Sequence, residues 1–591
     1  MKDFLKNVFA TIVGLFLYSF VIGFFFIGVF GVIMTLTTSS TPTSVNSNSI
    51  LHLNFKSAIV DYVDTKNIDY MSLLDPDMPQ PTGLNDILKA ITFATIDDNI
   101  KGIFIENDDI NANGLATIEE IRNALLDFKV TGKFIYAYAN DMSQSSYYLS
   151  SVADKIIINP TGSLIFKGLC SEVLFFKDAL DKLGIEAKIY RHGKFKSAVE
   201  PYMLNKMSNE NRLQYKAMIT PIWNKITADI AQSRGVSTQA LNQIADNFLA
   251  YNPYAAAKLN LIDEVKYRDD VLDELAQNLG FNSTDKLEFI SVNNYASTLP
   301  TNTAPSQIAI VYASGEIVRN NSSNYYETQI SAKTFVETFK TIRTDTTIKA
   351  VVLRINSPGG EVLASDVISR EVSLTAQQKP VVVSMGDYAA SGGYYIACGA
   401  TKIIANESTI TGSIGVFGLS FDMQELANKK LGIYSDVVKT NELADFGSFI
   451  NETSTKEKRV MQASVDNMYA TFINRVSYGR NLPQAYVDSI GEGRVWSGID
   501  AYRLNLTDDF GGLTIAIDKA AELANITSYS IDEYPKNDDS FITLLYSLTQ
   551  SAYQNQAKKE LGKFYTSAQY LNSLLKTNGI QAKMENFIEI K

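Results

Sequence analysis

The sequence predicts an α/β protein made of two tandem copies of one domain behind an apolar amino-terminal segment. Three observations predict it. Short, continuous apolar runs alternate with helical patterns. The chain matches itself at a near-constant offset across its two halves. From Val8 to Leu36 it carries no charge at all.

The apolar segment comes first in the chain. It exceeds the roughly 20 residues that span a bilayer, and also the apolar core of about 7–15 residues in a cleavable signal peptide. Thr37-Thr-Ser-Ser-Thr-Pro after it is a poor cleavage match. Lys2 and Lys6 precede it, opposed only by Asp3, so the amino terminus is expected in the cytoplasm and the bulk of the chain outside. Residues 1–48 are therefore read as a membrane anchor and polar linker.

The two halves follow. Gly102-Ile-Phe-Ile, Lys133-Phe-Ile-Tyr, Ala350-Val-Val-Leu-Arg-Ile and Val381-Val-Val have the continuous apolar character of strands buried on both faces. Asn99-Ile-Lys-Gly-Ile-Phe-Ile matches Thr347-Ile-Lys-Ala-Val-Val-Leu, and Tyr147-Tyr-Leu matches Tyr394-Tyr-Ile. Lys182-Leu-Gly-Ile recurs as Lys430-Leu-Gly-Ile. The turn-rich stretch Leu299-Pro-Thr-Asn-Thr-Ala-Pro-Ser divides the copies into residues 49–300 and 301–535. Residues 536–591 match nothing in the repeat, and Phe541 to Leu548 and Leu561 to Leu575 read as helices of a carboxy-terminal extension.

Composition narrows the functions. At 46% hydrophobic and 20% charged residues the chain is an ordinary folded protein. A net charge of -11 argues against a nucleic-acid partner. Cys170 and Cys398 form no metal-ligand spacing and, with only His52 and His192 beside them, make a zinc site improbable; no metal or cofactor is expected.

The repeat is most informative where it fails. Ser391, in Met385-Gly-Asp-Tyr-Ala-Ala-Ser391-Gly-Gly, falls opposite Gln144; Asn356-Ser-Pro-Gly359-Gly360 falls opposite Asp108-Asp-Ile-Asn-Ala112; Lys196 falls opposite Ala444. Ser391 follows a strand at a helix start, so it is either a nucleophile or a capping serine. The Gly359-Gly360 pair is either a tight turn or a main-chain oxyanion site. A nucleophilic serine needs a base. His52 sits early in a strand, His192 at a strand end, and Lys196 is a surface lysine unless burial or nearby positive charge (Arg191 and Lys194) lowers its pKa.

Those motifs, with Gly193-Lys-Phe-Lys196-Ser-Ala-Val-Glu-Pro and Thr411-Gly-Ser413-Ile-Gly-Val, resemble the signal peptide peptidase A family, in its long tandem-domain form within peptidase family S49. The resemblance implies two Clp protease/crotonase-like domains of the ββα superhelix type. It also implies a serine endopeptidase with Ser391 as nucleophile, Lys196 as general base and Ser413 orienting the lysine amine. Main chain around Gly359, Gly360 and Gly392 would hold the oxyanion. It further implies a homotetramer on the bacterial inner membrane, catalytic part extracytoplasmic, clearing remnant signal peptides and other apolar peptides. Two readings compete: a crotonase-type enzyme acting on acyl thioesters, and an inactive homologue serving as a membrane scaffold.

Overall fold

The computed structural model describes residues 45–55, 57–63, 81–300, 302–320, 328–536 and 580–584, and in the amino-terminal stretch residues 6, 10–11, 13–24 and 28. The apolar run read as an anchor lies partly outside these. Among the described residues no helix is long and apolar enough to cross a membrane.

Each half contains a parallel sheet of the same strand order. In the first half the order runs 264–265, 155–158, 134–139, 100–106, 49–53, 288–291. In the second, 509–510, 402–405, 381–390, 348–357, 307–314 and 530–534 follow the same path. Ile103 and its neighbour Phe104, like Val351 and Val352, point to opposite faces and have no exposure, which is why these strands read as unbroken apolar runs rather than alternating ones. The correspondence reaches detail: the isolated bridge Met142–Leu164 in the first half stands where Ala389–Thr411 pair in the second.

The halves are held together by a buried polar knot. Arg354, without exposure, reaches from the second-half strand Ile348–Ser357 to Asp61 at 2.8 Å and Glu120 at 2.7 Å, both in the first half. Glu120 also accepts from Asn406 Nδ2 and Leu513 N. The helix Leu115–Lys129 has no cap of its own, because Gly114 precedes it. Asp387 supplies one from the other half, accepting from Thr117 N at 2.9 Å and Thr117 Oγ1 at 2.6 Å. A Cβ on Gly114 would lie 2.8 Å from that carboxylate, so the close approach requires glycine.

A third sheet is shared by distant parts of the chain, in the order 329–331, 316–318, 359–361, 580–583, 417–422, 186–191. The first half lends it the strand Glu186–Arg191, antiparallel to Phe417–Asp422. The sequence reading of residues 536–591 as helical falls mostly outside the described residues; the described part, Ile580–Lys583, is a strand. It is antiparallel to both Gly359–Glu361 and Phe417–Asp422.

Candidate active site

The lent strand brings Lys196 across. Five residues beyond Arg191 the chain turns into the second half, where Lys196 is 1% exposed. Its Nζ lies 2.8 Å from Ser391 Oγ, 3.0 Å from Ser413 Oγ and 3.4 Å from Ser413 O. All three partners are uncharged, so nothing compensates the loss of water around an ammonium. Burial pulls the Lys196 pKa down to about 7. The cationic neighbours named from sequence play no part: Arg191 bonds the Lys196 carbonyl and faces Glu200, and Lys194 faces Glu492.

Ser391 sits between the strand Val381–Ala390 and the helix Gly392–Ala397, with φ 55° and ψ -110°. Such a backbone is costly for a residue with a Cβ and persists only where its surroundings impose it. Here they do: Ser391 N donates to Gly412 O, and Ser391 O accepts from Tyr395 N, each at 2.8 Å. The Ser391 side chain makes no capping bond, which removes the capping-serine alternative. Its hydroxyl is placed toward Lys196 Nζ and toward Gly415 O, 3.2 Å away. Ser413 is also in the left-handed region, at φ 47°. Its N–H donates to Arg494 O at 2.7 Å and its Oγ to Gly493 O at 3.3 Å.

The glycine pair borders the same space. Gly359 has φ 102°, and a Cβ on Gly392 would stand 3.1 Å from the Gly359 Cα and 3.0 Å from Ala582 O. Gly359 N donates to Ser357 Oγ at 3.1 Å. Met584 N donates to Pro358 O at 2.8 Å. Antiparallel pairs alternate between bonded and unbonded, so two residues along Gly360 and Ala582 also form a bonded pair. The Gly360 N–H thus points into the slot that Ile580–Lys583 fills.

Neither histidine is drawn into this cluster. His192 Nδ1 lies 2.9 Å from Asp466 and its ring stacks on Tyr469 at 4.0 Å. His52 Nε2 lies 2.9 Å from Glu106, between Phe104 and Phe289. Cys170 and Cys398 are free thiols, and among the described residues no group of three or more His, Cys, Asp or Glu is placed to hold a metal.

Sequence reasoning missed three contributors. The loop Gly491-Glu-Gly493-Arg backs the lysine: a Cβ on Gly493 would lie 2.6 Å from Lys196 Cβ, and Glu492 O accepts from Phe195 N at 3.1 Å. Its only signal was two glycines around one residue. Asp387, inside the serine motif, fixes the other half rather than the substrate. The strand Ile580–Lys583 is four residues, too short to announce itself.

The profile of Peptidase family S49 matches residues 127–282 and 373–527, once in each half. Protease 4 of Haemophilus influenzae is 34% identical over 541 residues, 88% of this chain and 87% of that protein. The chloroplastic serine protease SPPA of Arabidopsis thaliana is 29% identical, over 92% of this chain and 78% of its own length. A putative signal peptide peptidase SppA of Enterococcus faecium is 32% identical over 45% of this chain and 77% of that protein. Among solved structures, a membrane-bound stomatin-specific protease aligns over 40% of this chain and all of its own at 13% identity, with a TM-score of 0.27 that carries no argument. The duplicated α/β halves define a chain in which one copy of the domain sets a serine hydroxyl beside a buried lysine amine and the other does not. It belongs to peptidase family S49 and is a serine protease.

Proposed function

We propose that this chain is a membrane-tethered endopeptidase that uses Ser391 and Lys196 as a dyad on extended apolar peptides, released signal peptides among them. The observation that carries the proposal is the 2.8 Å Nζ–Oγ distance around a lysine whose pKa is about 7. Neutral Lys196 takes the Ser391 proton as Oγ attacks the peptide carbonyl, while Ser413 holds the amine in line. Main-chain N–H groups around Gly359, Gly360 and Gly392 receive the developing oxyanion, the Gly359 N–H leaving Ser357 Oγ and the Gly360 N–H leaving the carboxy-terminal strand to do so. Protonated Lys196 then gives its proton to the leaving amine, and water releases the acyl group by the reverse sequence. The peptide enters as a strand between Gly359–Glu361 and Phe417–Asp422, in the place Ile580–Lys583 holds. Residues 49–300 supply the base, and residues 301–535 supply the nucleophile and the oxyanion donors. The Val8–Leu36 run supports a single cytoplasm-to-outside anchor in the bacterial inner membrane, and the family resemblance supports a homotetramer.

The test is hydrolysis of apolar peptides by the full-length protein, wild type beside Ser391→Ala, Lys196→Ala and the double variant. Each single change is expected to cost at least about 10³-fold in turnover, with the double no worse, because the two residues act as a unit. Near-normal activity in Lys196→Ala would place the base elsewhere.

A further inference from the structure

The carboxy-terminal strand Ile580–Lys583 brings one charged side chain into the slot, and a carboxylate meets it there. Lys583 Nζ lies 2.8 Å from Glu316 Oε2, with side-chain exposures of 14% and 34%. Among the described residues Glu316 has no other ion pair, while its neighbour Glu361 is held by Arg319. The strand register explains the meeting. Glu316–Val318 runs parallel to Gly359–Glu361, with Ile317 opposite Gly360. Gly360 in turn stands opposite Ala582, and Gly359 opposite Lys583. Glu316, Gly359 and Lys583 therefore form one row across three strands. The outer two are about 10 Å apart in backbone, twice the spacing of neighbouring strands. Only two long side chains on the same face close that gap.

The same strand lies against the reacting groups. A Cβ on Gly359 would fall 2.1 Å from Ala582 O and 2.7 Å from Gly392 N, and one on Gly392 would fall 3.0 Å from Ala582 O. The Ala582 carbonyl thus stands beside the glycines assigned to the oxyanion, one residue before Lys583. Ile580, Ala582 and Met584 are buried. The slot therefore takes apolar or small side chains at alternate positions and a cation between them.

We propose that Glu316 is a specificity-determining residue, selecting lysine or arginine in the substrate strand at the position Lys583 holds. The proposal rests on the peptide reading given above, in which a substrate strand replaces Ile580–Lys583. When that strand leaves, Glu316 loses its cation while Arg319 keeps Glu361. An incoming ammonium or guanidinium satisfies the half-buried carboxylate, and an apolar side chain leaves it bare. The substrate class is a mainly apolar peptide with one cation directly after a small residue. Signal peptides join such cations to an apolar core.

The test uses the full-length protein and internally quenched apolar peptides built around Ile-Gln-Ala-Xaa-Met, with lysine, methionine or glutamate at Xaa. The quantity measured is the ratio of kcat/KM between peptides. Occupancy of the slot by the chain's own strand lowers both values equally, so it cancels in the ratio. Wild type should favour lysine over methionine about fivefold, and over glutamate by more. Glu316→Gln should bring the lysine-to-methionine ratio to about one. Glu316→Asp should lose most of the gain, because its carboxylate falls a methylene short, and Glu316→Lys should favour glutamate. Moving the lysine to the glutamine position keeps the peptide's charge but turns it to the other face, and should abolish the preference. That control separates Glu316 from general attraction by a chain of net charge -11. Equal rates for the lysine and methionine peptides in wild type, or a lysine preference that Glu316→Gln leaves intact, overturns the subsite while the dyad stands. Wild type that cleaves none of the peptides overturns both.

Discussion

The surroundings of Gln144 and of Ser391 are the same place in two copies of one domain. Both residues follow a strand and open a helix, Gln144–Ser150 in one copy and Gly392–Ala397 in the other. In the first copy the side chain is turned inward on its own loop. Gln144 Oε1 accepts from Lys167 N and Gly168 N, and Nε2 donates to Gly168 O. With three hydrogen bonds the amide closes its own loop. It satisfies the backbone and leaves nothing reactive. Above it Asp109-Ile-Asn-Ala112 lacks the paired glycines, and Lys167, which lines the cavity beside Gln144, meets that side chain through its main-chain N–H. The lesson is that the fold alone confers no chemistry; the reacting set is decided by which copy kept glycine and serine and which copy's strand crosses over.

That comparison can be broken most sharply by moving the base. Lys196→Ala combined with Ala444→Lys should remain at least about 10³-fold below wild type in kcat, since the second copy's segment around Ala444 does not reach Ser391 of its own chain. Recovered turnover in a peptide assay would mean that the two segments are interchangeable.

The knot between the halves comes next in size. Arg354→Met leaves Asp61 and Glu120 buried without their cation and should cost about 3–5 kcal/mol in denaturant unfolding. The repeat-equivalent Glu106 pairs with His52 and Arg268 nearer the surface, at 18% side-chain exposure. Glu106→Gln should cost under about 1 kcal/mol. Equal costs would show that the knot is not specific to the interface.

The pH dependence sharpens the role of Lys196. With the neutral amine as the proposed base, kcat/KM should rise about tenfold per pH unit below about 7 and level off above it. Stability should move the same way. The folded state holds this proton less tightly than the unfolded chain, so burial costs most below pH about 7 and the cost fades toward the ordinary lysine value of 10.5. Lys196→Met should therefore abolish turnover yet melt above wild type at pH 7, with the gap closing toward pH 10. A gap of constant size across that range would remove burial of charge as the cause.

The smallest expected effect concerns the carboxy-terminal strand. Ending the chain before Ile580 should lower KM for an extended peptide several-fold with kcat little changed, since the slot no longer has to be vacated. An unchanged KM would mean that peptides bind elsewhere.

Much of this was legible in the residues. The apolar runs placed the central strands, and the failed matches at Ser391, Lys196 and the glycine pair raised candidates that only the family resemblance joined into one site. What stayed hidden shares one cause. Asp387 capping a helix of the other half, Arg354 reaching Asp61 and Glu120, and Gly493 backing Lys196 are contacts between residues more than a hundred positions apart. Their local sequence carries no period or spacing that records a partner. The pKa of Lys196 belongs with them: its neighbours in sequence are cations, but its neighbours in space are two serines and glycine backbone.

The third sheet also sets a time. Its strands come from residues near 190, 320, 360, 420 and 580, so it cannot be finished until Ile580–Lys583 has been made. Long-range pairings of this kind form late, after the local contacts of each half. Ser391 is made 195 residues after Lys196, and the sheet that walls them closes only with Ile580–Lys583. In that order the lysine waits for a hydroxyl that only the second half can supply.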